Sequence, residues 1–168
     1  VDVEALTAGG EPALAVMARR RSDGQLRVQT RHALTGEIVG YDFLGLKWRA
    51  LEMQTLGDLD GNGVDEVATL LRRNTDGVVV IQIRDAASGA LVSRLNTIGG
   101  GINAWRIVQF RPLTYGGAPA LATLATRRAD ERVQVRIQDA ATGALVNTVF
   151  FRPAPWELQA HFEVVPDF

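Results

Sequence analysis

The chain of 168 residues contains no cysteine. Disulfide bonds and thiolate metal sites are therefore excluded, while the cellular compartment is left open. Neither of the two histidines, His32 and His161, has a partner at the spacing of a metal site. No apolar run approaches the roughly 20 residues of a membrane helix, so we expect no membrane insertion. The stretch Val1–Glu4 has neither a basic region nor an apolar segment, and no signal peptide is predicted there.

Lysine is almost absent as well, since Lys47 stands beside seventeen arginines. With a net charge of −1 and no aromatic residues interleaved among the arginines, the composition disfavours nucleic acid as a partner. The sequence has no Gly-x-Ser-x-Gly motif and no glycine-rich phosphate loop before a helix. We therefore expect no enzyme and no catalytic residue, although a site built from scattered carboxylates would leave no such motif.

What the sequence does contain is a threefold repeat. A Thr-Gly or Ser-Gly turn recurs with spacings of 53 and 54 residues, and an aspartate stands thirteen residues before each glycine. The glycines are Gly36, Gly89 and Gly143, and the aspartates are Asp23, Asp76 and Asp130. A tryptophan recurs as well, at Trp48, Trp105 and Trp156. We place the approximate units at 1–56, 57–110 and 111–168 of a single domain spanning 1–168.

Each unit is predicted to form four β-strands, which makes the fold class all-β. Asp-Gly pairs such as Asp76-Gly77 are hairpin signals, and Val79–Ile83 shows the two-residue period of a strand. The runs Ala13–Ala18 and Val67–Leu71 are apolar on both faces. That pattern is typical of a strand covered by neighbouring sheets on each side.

Four-stranded antiparallel units of about 50 residues, repeated in tandem, are the blades of a β-propeller. A closed ring needs at least about four blades, so three blades leave two apolar faces uncovered. The last unit ends in an extra strand, Trp156–Val165, in phase with the start of a next blade. We therefore expect a partial propeller that belongs to a longer chain, or a ring completed by self-association. A curved open stack is the third alternative.

The most informative stretch is the loop Asp58–Glu66, in which oxygen-bearing side chains occupy the first, third, fifth and ninth positions. These side chains are Asp58, Asp60, Asn62 and Glu66. Two glycines allow a tight fold, so the oxygens converge as a hard cation such as Ca²⁺ requires. An EF-hand is excluded because position twelve is Thr69, inside a β-type run. The alternative is a tight Asx-rich turn without metal.

The stretch Gly57–Ala68 resembles the FG-GAP/VCBS family of propeller repeats, also found in integrin α subunits. In that family the loop Asp-x-Asp-x-Asp/Asn-Gly-x-x-Asp binds a cation between the first and second strands of a blade. The resemblance implies five calcium ligands. They are the side chains of Asp58, Asp60, Asn62 and Glu66 and the backbone carbonyl of Val64. Glu66 stands where the family has aspartate, and the matching loops of the other two units lack the acids.

Family members are mostly exported or cell-surface proteins that serve adhesion or ligand binding, or act as modules beside enzymes. The resemblance thus implies a calcium-stabilised binding or assembly module, extracellular, at the cell surface or periplasmic, with a protein or glycan as ligand. The alternative is a non-catalytic accessory module of a larger extracellular enzyme, for example a carbohydrate-directed one. A quinoprotein-like propeller fragment is a weaker alternative, because the turns after Asp85 and Asp139 lack the following tryptophan of those repeats.

The tryptophans are predicted to pack between blades, with sugar stacking as the alternative. An arginine pair ends the second strand of each unit. We expect these pairs to be solvated strand ends balanced by the nearby acids Asp23, Asp76 and Asp130. A basic ridge that binds an acidic partner is the alternative.

Overall fold

The computed structural model describes residues 2–96 and 105–151. Within these ranges the chain forms twelve β-strands and no helix. The first four are β1 (Asp2–Ala8), β2 (Glu11–Arg19), β3 (Leu26–His32) and β4 (Ile38–Gly45). The next four are β5 (Trp48–Thr55), β6 (Glu66–Arg73), β7 (Val79–Asp85) and β8 (Leu91–Asn96). The last four are β9 (Trp105–Tyr115), β10 (Ala118–Arg127), β11 (Val133–Asp139) and β12 (Leu145–Phe151).

The strands form three separate four-stranded sheets in chain order, β1 to β4, β5 to β8 and β9 to β12. All pairings are antiparallel, so each sheet is a meander. The predicted all-β class is confirmed, and each sheet has four strands. The sheets are offset by one strand from the repeat units, because the strand that begins at Trp48 pairs with β6. The predicted strand Trp156–Val165 lies outside the described residues.

The turn between the second and third strands of each sheet is closed by an ion pair. The guanidinium groups of Arg20, Arg73 and Arg127 bind the carboxylates of Asp23, Asp76 and Asp130. Each aspartate also accepts a backbone N–H two residues further on. The expectation that these arginines are balanced by nearby acids is therefore confirmed. In the third turn Glu131 replaces glycine and takes a φ of 56°, a left-handed conformation that is uncommon for a residue with a Cβ.

Apolar side chains from facing sheets form two buried clusters. The cluster between the first and second sheets includes Ala15, Met17, Val28, Met53, Val67 and Leu71. The cluster between the second and third sheets includes Leu70, Ile81, Ile83, Leu95, Phe110 and Leu121. Because the second sheet contributes to both, β6 is buried on both faces from Glu66 to Leu71, as its sequence predicts. On β2, Leu14 is 37% exposed, so the first sheet is covered on one face of Ala13–Ala18 only.

The first strands of consecutive sheets lie beside one another, β1 next to β5 and β5 next to β9. A carboxylate joins each pair. Asp2 Oδ2 accepts the backbone N–H of Met53 at 3.0 Å, and Glu52 Oε2 accepts that of Phe110 at 3.1 Å. Trp48 contacts the first cluster, and its ring lies 5.7 Å from the guanidinium carbon of Arg94. The predicted packing role is thus confirmed for this tryptophan.

Among the residues that the structure describes, no helix has the length and apolar character needed to cross a bilayer.

Candidate metal centre

The loop that connects β5 to β6 is longer than the equivalent connections in the first and third sheets. In the first and third sheets the first two strands are joined by the glycine pairs Gly9-Gly10 and Gly116-Gly117. All four of these glycines have positive φ, the conformation of a two-residue hairpin turn. In the second sheet residues 56–65 replace that turn, which leaves backbone N–H groups that need other partners.

Asp58 supplies those partners. Its Oδ1 accepts the N–H groups of Gly61 at 2.7 Å and Asn62 at 3.1 Å, and its Oδ2 accepts the N–H of Gly63 at 2.8 Å. The bond from Gly63, joined by those from Gly61 and Asn62, holds the pKa of Asp58 below its usual value. Gly61 and Gly63 have φ of 78° and 82°, so the loop uses glycine where the chain must turn left-handed.

Glu66 is the buried member of the loop, with no exposed surface. Its Oε2 accepts the N–H of Leu59 at 2.6 Å. Its Oε1 is buried and has no hydrogen-bond partner in the described part of the chain. The pKa of Glu66 is raised from 4.5 to about 7. Burial is the largest cause, the hydrogen bond from Leu59 opposes it, and the nearby charges of Asp60 and Asp58 add to it. Such an unsatisfied oxygen is costly. A bound cation would satisfy it, whereas a proton would only remove its charge.

Three of the predicted ligands come together in space. One carboxylate oxygen from each of Asp58, Asp60 and Glu66 lies within 4.8 Å of the other two. Oxygens bound to a common Ca²⁺ at 2.3–2.6 Å lie at most about 5 Å apart. The donor set is therefore of the type and spacing that a hard cation takes, and the unpartnered Oε1 of Glu66 fits the same interpretation.

The other two predicted ligands have additional roles. Asn62 Oδ1 accepts the N–H of Val64 at 2.7 Å, and Asn62 Nδ2 donates to Asp85 Oδ2 at 2.9 Å. Val64 forms an isolated β-bridge with Ala8 of the first sheet. Their service as cation ligands stays a prediction.

Asp85, at the end of β7, is a neighbour of the loop that the sequence reasoning missed. Burial raises the pKa of Asp85, but hydrogen bonds from Ser88, Asn62 and Ala87 outweigh it, so that the pKa lies below its usual value. Asp85 also caps Ser88 in its own turn. The bond to Asn62 becomes visible only once β6 and β7 are paired.

The loop also binds the first sheet. Asp65 Oδ2 accepts the N–H of Thr7 at 2.6 Å, and the Asp65 N–H donates to the Thr7 carbonyl at 2.9 Å. The N–H of Gly9 donates to the carbonyl of Gly63 at 3.1 Å. The segment Gly63–Asp65 thus fastens the second sheet to the end of β1.

No family model and no curated protein matches this chain. Its fold is similar to that of the rhamnogalacturonan lyase PL11 of Bacillus licheniformis, with a TM-score of 0.58 and 13% sequence identity. The similarity covers 88% of this chain and 34% of the lyase chain. At this identity the likeness concerns the fold alone, and the chain spans about a third of the enzyme's length. Membership of the FG-GAP/VCBS family stays a prediction.

Proposed function

We propose that this chain is a calcium-stabilised part of a β-propeller that serves binding or assembly, without catalysis, in an exported or cell-surface protein. The observation that carries the proposal is the buried Oε1 of Glu66, which has no hydrogen-bond partner among the described residues and lies beside the carboxylates of Asp58 and Asp60. Three four-stranded meanders whose first strands lie side by side support the propeller architecture.

The residues that would hold calcium are Asp58, Asp60 and Glu66, with Asn62 and the carbonyl of Val64 as the further predicted ligands. The ion would supply positive charge that neutralises these acids. Asp58 orders the loop backbone through three N–H groups, and Asp65 fastens the loop to Thr7. Occupation of the site would therefore stabilise the contact between two sheets as well as the loop.

The proposal is tested by titrating chelator-treated protein with calcium, with calorimetry and thermal unfolding as the two measurements. We expect binding to one site and a higher melting temperature, since a ligand at 100 times its Kd stabilises the folded state by about 2.7 kcal/mol. Glu66→Gln is expected to fold without calcium, because it removes a buried charge, but to lose the calcium-dependent rise.

The matched control is Asp76→Asn, which alters an aspartate in another loop of the same sheet. It is expected to retain the full response to calcium. If the wild-type chain bound no calcium, or if Glu66→Gln kept the full response, the loop Asp58–Glu66 would be a metal-free turn.

A second candidate is favoured by the structural likeness to the rhamnogalacturonan lyase. In this case the chain is a non-catalytic, carbohydrate-directed module of a larger extracellular enzyme. Affinity electrophoresis in gels that contain rhamnogalacturonan, with dextran gels as the control, tests it. Retardation in the first gel alone, without formation of unsaturated products, would favour this candidate. Equal mobility in both gels would remove its support.

A further inference from the structure

One contact between sheets occurs twice in this molecule. It joins the fourth strand of one sheet to the turn between the third and fourth strands of the next. On β4, a Cβ added to Gly40 would lie 2.1 Å from the carbonyl oxygen of Ala87 and 2.7 Å from that of Ala86. On β8, the hydroxyl of Ser93 donates to the carbonyl of Ala140. Gly40 and Ser93 each lie four residues after the turn glycine of their own sheet, so the two contacts are equivalent.

The turn has the same construction in all three sheets. Asp85 Oδ1 accepts the N–H of Ser88 at 2.5 Å, and Asp139 Oδ1 accepts that of Thr142 at 2.7 Å. In the first sheet His32 takes this place, and its Nδ1 accepts the N–H groups of Leu34 and Thr35, each at 3.2 Å. The first sheet therefore presents a turn of the same type, although its sequence lacks the aspartate.

Ala33 corresponds to Ala140 within this turn. The N–H of Ala33 donates to the carbonyl of Pro12 at 2.9 Å, as the N–H of Ala140 donates to that of Pro119 at 3.1 Å. The carbonyl of Ala33 is consequently placed like the one that accepts from Ser93. We call residues 32–36 the leading turn.

The leading turn is free of neighbouring sheets in the part of the chain that the structure describes. Leu34 is 83% exposed, and a Cβ added to Gly36 would meet no atom within 4 Å. At the equivalent Gly143, a Cβ would lie 3.2 Å from the carbonyl oxygen of Arg94 on β8. The leading turn therefore offers one side of a third contact of this type, on the first sheet.

The other half is presented by β12. Asn147 lies four residues after Gly143, at the position of Gly40 and Ser93. It is exposed, and its Nδ2 makes one long bond of 3.4 Å to the hydroxyl of Tyr115. Two residues on, Val149 is 39% exposed, whereas Leu95 at the equivalent place on β8 is fully buried.

We propose that β12 of one copy docks the leading turn of a second copy, head to tail. Asn147 donates an amide N–H to the carbonyl of Ala33, as Ser93 does to Ala140, and Val149 packs on the turn as Leu95 does. This inference rests on the proposed assembly role. The described residues of two copies form six sheets, three from each, within the range of about four to eight found in closed propellers. A head-to-tail contact of this kind either closes a ring or continues as a stack.

Sedimentation velocity with the wild-type chain and two variants tests the contact. Val149→Asp changes the β12 surface, and Leu34→Asp changes the leading turn. Each is expected to weaken self-association at least 100-fold while circular dichroism stays unchanged. Leu46→Asp is the matched control, since Leu46 is 60% exposed in the connection between β4 and β5 and lies outside both surfaces. It is expected to assemble like the wild type.

An equimolar mixture of the two variants gives the sharpest readout. A head-to-tail pair built from one copy of each contains one intact contact, so the mixture is expected to associate more strongly than either variant alone. A dimer in which β12 of one copy contacts β12 of the other would show no such recovery, and that result would overturn the proposal. A wild-type monomer, or an assembly that both variants leave intact, would overturn it as well.

Calcium binding measured in the same samples separates the two proposals. A monomer that binds calcium overturns the head-to-tail contact and leaves the metal site in place. A chain that assembles head to tail without binding calcium overturns the metal site and leaves the head-to-tail contact in place.

Discussion

The contact between the first and second sheets and the contact between the second and third sheets share most of their parts. Each has a buried apolar cluster. Each has a carboxylate that accepts a backbone N–H from the next first strand, Asp2 in one case and Glu52 in the other. Each also has the turn that docks on a fourth strand, at Gly40 or at Ser93. We call the contact between two consecutive sheets a joint, and these three features are common to both joints.

The first joint has one addition, the acid-rich loop whose residues Gly63 and Asp65 bind the end of β1. The loop adds hydrogen bonds between sheets, but it also confines the charges of Asp58, Asp60 and Glu66 to a small volume. A plain glycine pair carries no such charges. The comparison teaches that the second joint depends on packing, on hydrogen bonds and on the ion pair of Glu52 with Arg111. The first joint depends in addition on what neutralises the acids of its loop.

The largest expected effect comes from Gly40→Ala. The added methyl group would overlap the carbonyl of Ala87 at 2.1 Å, so β4 or the facing turn must move. Overpacking of this kind costs up to about 3 kcal/mol, which we expect as a loss in the free energy of unfolding by urea. Ser93→Ala, at the same place in the second joint, removes one hydrogen bond and is expected to cost about 1 kcal/mol.

Gly57→Ala is the control for this prediction, since a Cβ there would meet no atom within 4 Å. Its free energy of unfolding is expected to stay within about 0.5 kcal/mol of the wild type. If Gly40→Ala were tolerated equally well, the first joint would not have the close backbone contact described here.

The second largest expected effect is a pH dependence of the free energy of unfolding, caused by the loop of the first joint. In calcium-free protein the folded-state pKa of Glu66 is about 7, above its ordinary value of 4.5, so folding favours the protonated form. The contribution of Glu66 to stability is then fully present below pH 4.5 and is lost as the pH rises to about 7. We expect a decline of about 2 kcal/mol, after allowance for solvent screening. Urea unfolding at several pH values with a chelator present measures it.

Glu66→Gln is expected to remove this decline, and saturating calcium is expected to suppress it. The aspartates with lowered pKa, such as Asp58 and Asp85, lose their contributions only as the pH falls below their usual value of 3.8, outside this window. A decline of the same size in Glu66→Gln would show that another group causes it.

The smallest expected effect concerns the link between Asp65 and Thr7. Asp65→Ala removes a hydrogen bond of 2.6 Å between the sheets and is expected to destabilise the chain by about 1 kcal/mol. Asp65→Asn keeps an oxygen acceptor and is expected to lose less than half of that. Thermal unfolding of the two variants side by side decides the point. Equal losses would mean that the charge of Asp65, and not the bond to Thr7, matters.

Features of the fold that depend on neighbours in the chain could be predicted from the sequence. The turn at Asp76-Gly77 and the alternation of Val79–Ile83 are local signals. The convergence of Asp58, Asp60 and Glu66 could be predicted too, because they occupy one short loop. The spacing of these residues along the chain is enough to predict such local features.

The joints between sheets could not be predicted, because their partners lie far apart in the chain. Asp65 and Thr7 are 58 residues apart, and Ser93 and Ala140 are 47 apart. One signal was present, since a glycine inside a strand pattern, such as Gly40, often marks a close backbone approach. The contact of Asp85 with Asn62 left no comparable trace, since Asp85 already had a role in its own turn.

The burial of β6 on both faces has a consequence for how the molecule opens. Its strand lies between two apolar clusters, while β2 of the first sheet still exposes Leu14. In a stack whose sheets contact only their neighbours, stability is a sum of local terms and of terms between adjacent sheets. The second sheet receives two such neighbour terms. Amide protons of β6 will therefore exchange with solvent only when larger openings occur, and those of β2 will exchange through smaller ones.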